Sequence, residues 1–369
     1  MKRISLLLFS CFLLAFVGLL PLSAQNNDLR RDIGEMLLVG FRGQSVDKNS
    51  HIYRDITKYH VGSVILFERD GPTGKRHRNV ASPSQLKRLC AQLQSFSDGK
   101  LLIGIDQEGG LVCRMRKVDG FPAVPSPKYC AEAGLDTVRY YADLTARMLR
   151  EAGVNFDYAP VADVDVNPDC PIIGKLGRSF SADTTQVAAC CRIWLKSLAA
   201  SGVVGCLKHF PGHGSATGDT HEGLVDVTKT WKPCELAPYR KLIAEGKVPA
   251  IMVAHVINGK IDPVWPASLS RATVTDLLRK KMGYKGVIVT DDLAMGAIIN
   301  QYDYETVIFQ AIDAGNDLLC LSNNGKAYNP ELVPQTVEII LKLVKEGRIT
   351  ATQIHASAER VRAMKRMLK

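Results

Sequence analysis

Short apolar runs recur along the chain at intervals that leave room for a helix between each pair. Eight stand out: Met36 to Phe41, Ser63 to Phe67, Leu101 to Ile105, Phe156 to Val161, Val203 to Leu207, Ala250 to Ala254, Gly286 to Thr290 and Asp317 to Leu321. Runs this short, apolar on both faces, are the pattern of parallel strands buried between layers. The intervals carry polar and apolar residues at helical spacing. Asp136 to Ala152 is the clearest, with Val138, Tyr141, Thr145, Met148 and Leu149 on one side and Gly153 as its stop. Further helices are predicted over Pro83–Ser95, Ala182–Ala200, Cys234–Glu245, Arg271–Met282, Tyr304–Ala314, Pro330–Glu346 and Ala351–Lys369. Strand and helix alternating eight times predict an α/β fold, a single closed (β/α)8 barrel of the TIM type. No Pro/Ser-rich linker, compositional break or short repeat divides residues 30–369, so one domain is expected.

The first 24 residues break this pattern. Lys2 and Arg3 precede an apolar stretch from Ile4 to Leu20, and Leu22-Ser23-Ala24 forms a small-residue cleavage site. This reads as an export signal, with the catalytic barrel in residues 25–369 and a periplasmic or extracellular destination. An uncleaved signal would instead anchor the chain; once it is removed, no stable membrane span is expected. With 46% hydrophobic and 23% charged residues, a disordered or fibrous chain is excluded.

The formal charge of +10 drops to +8 once Lys2 and Arg3 leave, a surface suited to anionic partners. Much of the excess sits in Lys75-Arg76-His77-Arg78, which lacks interleaved aromatics and lies among Gly and Pro; it is expected to be a solvated loop, with no nucleic-acid partner. Nine cysteines follow the signal, none in a C-x-x-C pair, and several lie in apolar strands where buried thiols are expected.

In such barrels chemistry gathers where strands end, at the C-terminal mouth. The third run ends in Asp106-Gln107-Glu108-Gly109-Gly110, the fourth leads to Asp163 and Asp165, the fifth runs into Lys208-His209, the sixth ends at His255, and the seventh at Asp291-Asp292. The stretch after the fifth strand holds His209, His213, Asp219 and His221. Two readings stand. The cluster could hold a metal for a metal-dependent hydrolase, although Pro211, Gly212 and Gly214 argue against the helix that would align His209 with His213. Alternatively, Asp219-Thr220-His221 is a proton-transfer pair on a flexible loop, the carboxylate orienting the imidazole. Of Asp291 and Asp292, only one can face the mouth; the other supports the site or caps the next helix.

Taken in order, these segments resemble the bacterial β-N-acetylglucosaminidases of glycoside hydrolase family 3. The resemblance rests on Ile105-Asp106-Gln107-Glu108-Gly109-Gly110 with Arg114, Phe156 to Val164, Gly177-Arg178-Ser179-Phe180, Lys208 to Gly214 with Asp219-Thr220-His221, Ile251 to Val256, and Val289 to Met295. It implies a retaining exo-β-N-acetylhexosaminidase with Asp291 as nucleophile, His221 as acid/base and Asp219 as its orienting partner. Asp106, Arg114, Arg178, Lys208 and His209 would bind the terminal sugar. No cofactor is implied, and the expected partner is a carbohydrate, a GlcNAc-terminated glycan or muropeptide, acted on by a monomer. A β-glucosidase of the same family is the neighbouring alternative. Leu111 stands where the family often has Arg, and the Glu68–Ser82 loop is longer and more basic than the pattern.

Overall fold

The computed structural model describes residues 22–97 and 101–368, so residues 1–21 of the predicted signal lie outside the described residues. Eight parallel strands form one sheet: β1 (Leu37–Gly40), β2 (Ser63–Ile65), β3 (Leu102–Ile105), β4 (Phe156–Asp157), β5 (Val204–Phe210), β6 (Ala250–Val253), β7 (Val287–Thr290) and β8 (Leu319–Leu321). They follow one another in chain order, with β1 pairing both β2 and β8. A bridge between Val289 and Leu318, with Thr290 N donating to Leu318 O at 3.0 Å, joins β7 to β8 and rounds the sheet into a barrel. All eight apolar runs are strands.

Alternation along each strand sorts the side chains into two layers. Leu38, Leu102, Val204, Cys206, Met252, Val287, Val289 and Cys320 fill the barrel interior. Leu37, Val39, Ile103, Leu207, Ile251 and Ile288 point outward into the layer beneath the helices. That outer layer is what the helices cover, and their ends follow local chemistry. Ser82 caps Pro83–Ser95 by accepting from Gln85 N, with Pro83 in the first turn, where its missing N–H costs nothing. Asp303 caps Tyr304–Ala314 in the same way, and Thr350 with Gln353 forms a reciprocal box at the start of Ala351–Lys365. Gly153 ends Leu135–Ala152 with φ 81°, a conformation that favours glycine.

Among the described residues, four α-helices lie outside the predicted ones: Leu22–Glu35, His51–Tyr59, and the short Pro127–Glu132 and Gly296–Ile299. The first packs along the final helix, Ala351–Lys365, which passes under the barrel; Val361, Met364 and Leu368 join the interior apolar cluster there. Arg360 Nη1 bonds Asp317 Oδ1 at 2.8 Å beside the start of β8. Ala272–Lys281 winds as a π-type helix. No helix among the described residues is long and apolar enough to cross a membrane.

The basic run 75–78 is only in part the solvated loop expected from its composition: Lys75 and Arg76 are exposed, but the run is tied down. Arg76 and His77 both reach Asp119, at 2.8 and 2.9 Å. The Arg78 side chain is fully buried and bonds Asp70, Asn324 and the Phe41 and Asn323 carbonyls. Charge pairing to Asp70 and Asp119 outweighs solvation there, as a buried guanidinium requires. All nine cysteines are free thiols, and all but Cys234 are buried.

Candidate active site

Continuing the inward alternation of each strand by one more step gives the functional side chains. Past Cys206 comes Lys208, past Val289 comes Asp291, and two residues beyond Gly104 comes Asp106, so three strands deliver a lysine and two carboxylates to the same mouth.

The floor of the site is a chain of ion pairs. Lys208 Nζ stands 2.7 Å from Asp106 Oδ1 and 2.7 Å from Glu108 Oε1, with its side chain only 2% exposed. Arg114 meets the other oxygen of Asp106 at 3.1 Å. Arg178 holds Glu108 through two 2.7 Å bonds, one to each oxygen. Burial alone would push both carboxyls up, but the cations beside them win: Lys208 and Arg114 hold Asp106 well below the usual carboxylate range, and Arg178 and Lys208 lower Glu108. Both acids are therefore ionised and both are neutralised. Glu68 adds a longer contact to Arg114, 3.5 Å.

His209 sits beside this network. Its Nδ1 is 2.6 Å from Asp163 Oδ2, and its ring Nε2 is 3.3 Å from Arg178. The same carboxylate accepts the backbone N–H of His213 at 2.8 Å, so Asp163 organises the whole turn after β5. Those bonds and the nearby imidazoles lower its pKa despite burial. From behind, Trp231 Nε1 donates to Pro211 O at 3.0 Å. Glu235 is fully buried against the same turn and accepts Lys232 N at 3.2 Å. At Gly212, φ 118°, an added Cβ would come 2.6 Å from Glu235 Cβ. Burial pushes the Glu235 carboxyl up to about 7, against the opposing pull of Ser215 and the Lys232 amide.

Asp291 accepts Asp292 N at 2.8 Å, while its own N–H donates to Val253 O at 3.0 Å. Burial opposes its ionisation, but His255, His209, the Asp292 amide and His221 together lower its pKa. Asp292 faces away, as the alternation requires. It accepts Ala294 N at 3.1 Å and Ser322 N at 3.0 Å, and bonds the Ser322 hydroxyl, so it ties the end of β7 to the end of β8. Buried His255 bridges Ser268 Oγ (2.6 Å) and the Asp292 carbonyl (2.8 Å), backing the acidic pair.

Asp219 and His221 form the remaining pair. Asp219 Oδ1 takes both the backbone N–H (2.8 Å) and the ring Nδ1 (2.7 Å) of His221, whose side chain is 63% exposed. The loop docks on the segment that follows Asp291-Asp292. Ala297 N donates to Thr220 O at 3.2 Å, and the His221 carbonyl lies over Gly296, where an added Cβ would come within 2.6 Å. His221 is thus at the same end of the barrel as Asp291.

Seven of the eight sequence-predicted residues therefore meet at the barrel mouth or its wall, and Arg114 completes the set from the hairpin after β3. The metal reading finds no matching geometry. His209 Nδ1 is given to Asp163, His213 Nε2 to Thr220 and His221 Nδ1 to Asp219. No cluster of three or more His, Cys, Asp or Glu side chains that could hold a metal stands among the described residues. Four functional neighbours had been given no role: Glu68, Glu108, Asp163 and His255. Glu108 was the most legible of them, two residues past Asp106 and so on the same side of an extended chain.

Comparison with known proteins bears on the family and the fold. Residues 28–364 match the family described as the glycosyl hydrolase family 3 N-terminal domain. The chain is 32% identical over 318 residues to a β-hexosaminidase of Xanthomonas oryzae pv. oryzae, covering 83% of this chain and 87% of that protein. It is 34% identical over 274 residues to a β-hexosaminidase of Nitrosomonas eutropha, covering 72% and 74%. Among solved structures, a family 3 β-N-acetylglucosaminidase from a Paenibacillus species superposes with TM-score 0.83 at 34% identity, over 92% of this chain and 62% of that one. A β-N-acetylhexosaminidase from Beutenbergia cavernae superposes with TM-score 0.80 at 27% identity, over 91% and 98%.

Proposed function

This chain belongs to glycoside hydrolase family 3, and from that premise we propose that it is a retaining exo-β-N-acetylhexosaminidase working through a covalent glycosyl-Asp291 intermediate. The observation that carries the reading is the pairing of an inward-facing, low-pKa carboxylate at 291 with an Asp219-oriented imidazole on a loop seated on residues 296–300.

In the first step the Asp291 carboxylate attacks the anomeric carbon. The bond to the aglycone oxygen breaks, and that oxygen takes a proton from His221. Because Nδ1 is committed to Asp219, the proton comes from Nε2. In the second step neutral His221 removes a proton from water, whose oxygen attacks the anomeric carbon and frees Asp291. An imidazole serves both steps because its ordinary pKa lies near neutrality. The ionised Asp106 and the cations Lys208, Arg114 and Arg178 supply acceptors and donors for the sugar's hydroxyl and N-acetyl groups, with His209 beside them.

The relatives named above are β-hexosaminidases and β-N-acetylhexosaminidases by name, and the +8 charge left after the signal suits a substrate carrying carboxylates, which favours a GlcNAc-terminated muropeptide met outside the cytoplasm. The test is to incubate the protein with a 5-fluoro N-acetylglucosaminyl fluoride, which keeps the C2 acetamido group, and map the peptides by mass. A label on Asp291 is expected. No label, together with potent thiazoline inhibition, would instead mean that the substrate's own acetamido group is the nucleophile.

A further inference from the structure

His213 has no task in the chemistry above, yet it is among the most enclosed polar groups of the site, 1% exposed. Its backbone N–H is anchored to Asp163, and its Nδ1 has no hydrogen-bond partner. Burial and the neighbouring His209 lower its pKa to about 4, so at neutral pH the ring is uncharged, with one N–H and one lone pair. Its Nε2 hydrogen-bonds the Thr220 hydroxyl at 3.3 Å.

Thr220 is unusual in turn. Between Thr217 and Leu224 every residue is exposed or half-exposed except this one, which is 1% exposed. It lies between the two members of the acid/base pair, so whatever holds its side chain also holds Asp219 and His221. Its carbonyl accepts Ala297 N, and the Asn300 side-chain Nδ2 reaches the Glu222 carbonyl at 3.5 Å; both hold the loop through carbonyls of its own backbone. The hydroxyl-to-imidazole contact is the side-chain peg. Through Asp163, which binds His209 Nδ1 and His213 N together, that peg joins the loop to the sugar-binding floor.

We propose that His213 is a positioning residue, latching Thr220 so that the exposed loop presents His221 to the leaving oxygen opposite Asp291. This rests on the acid/base reading of His221. A latch of this kind acts on proton delivery and leaves attack by Asp291 alone, so its loss should be felt only where the leaving group needs a proton.

The experiment compares kcat/KM, which reports the glycosylation step, for phenyl and 2,4-dinitrophenyl β-N-acetylglucosaminides. Thr220→Val, which keeps the shape and removes the hydroxyl, is expected to lose about tenfold on the phenyl substrate, the worth of one neutral hydrogen bond. On the dinitrophenyl substrate, whose leaving group departs unprotonated, the loss should stay within about twofold. Thr220→Ser should recover most of the lost rate. Adding Thr220→Val to His221→Gly should cost nothing further, since the latch has nothing left to position. Equal losses on both substrates, or additive losses in the double variant, would show a merely structural threonine and overturn the latch. A His221→Gly variant that slows both substrates alike overturns the acid/base reading instead, and the latch with it.

Discussion

The floor of the site and the loop above it solve the same problem of placing charge in opposite ways. Below, Lys208 and Glu108 are 2% and 0% exposed, and every ionised group is matched by a partner of opposite sign. Above, His221 and Asp219 are 63% and 29% exposed, a single pair on a loop with one buried residue. Buried charges survive only when paired, so the floor is organised without a ligand and, on the proposed reading, needs no rearrangement to receive a sugar. On the proposed mechanism the imidazole gains and loses a proton in each cycle, and its solvent contact suits that work. The proposed recognition and proton transfer would thus be divided between buried β-strand ends and an exposed loop.

The sharpest break would come at the residue both regions serve. Asp291→Ala should lower kcat/KM on an aryl β-N-acetylglucosaminide by about 10⁴-fold or more with the fold intact by circular dichroism; retention of a tenth of the activity would remove the nucleophile assignment. His221→Ala should cost about 10²- to 10⁴-fold on a poor leaving group, while the urea midpoint barely moves because the side chain is exposed. Lys208→Met should do the reverse of that second result. It leaves Asp106 and Glu108 without their shared cation, so a loss of about 3–5 kcal/mol in urea unfolding is expected. A Lys208→Met protein of normal stability would mean that the floor is not held by its charges.

The smallest effect tests the wall between the two regions. Burial raises the Glu235 carboxyl to about 7, above its ordinary 4.5, so the folded state holds that proton more tightly than the unfolded chain does. Its contribution to stability is complete below about pH 4.5 and is lost as pH rises through about 7. Glu235→Gln, which cannot ionise, should therefore melt higher than the parent at pH 8, by roughly 1–3 kcal/mol, with the gap closing near pH 4.5. A gap that stayed constant across that range would place the proton elsewhere.

The barrel was legible because each strand is a short apolar run, and Pro83–Ser95 matches to the residue because Ser82 and Pro83 mark its start chemically. β4 ends four residues before its apolar run does: Tyr158 turns into the barrel after Phe156, and Pro160 has no N–H to give a ladder. β5 runs three residues past its apolar run, since Lys208 and His209 are strand residues in spite of their polarity, satisfied by Asp106, Glu108 and Asp163. Helix His51–Tyr59 escaped notice because its apolar face is only Ile52 and Ile56, with a buried Asp55 between them. At the site, strand ends and the family pattern pointed to the residues proposed to meet a sugar. The partners that hold them, Glu108, Asp163 and His255, could be noted but not assigned, because their work depends on distances across the barrel and not on spacing along the chain.

The helix Ala351–Lys365 carries a consequence for the end of the barrel away from the mouth. Val361, Met364 and Leu368 stopper the tube formed by the strands. Polar substitutions at these three positions would let water into the apolar bore from below, so the integrity of the interior depends on a segment that touches none of the residues at the mouth.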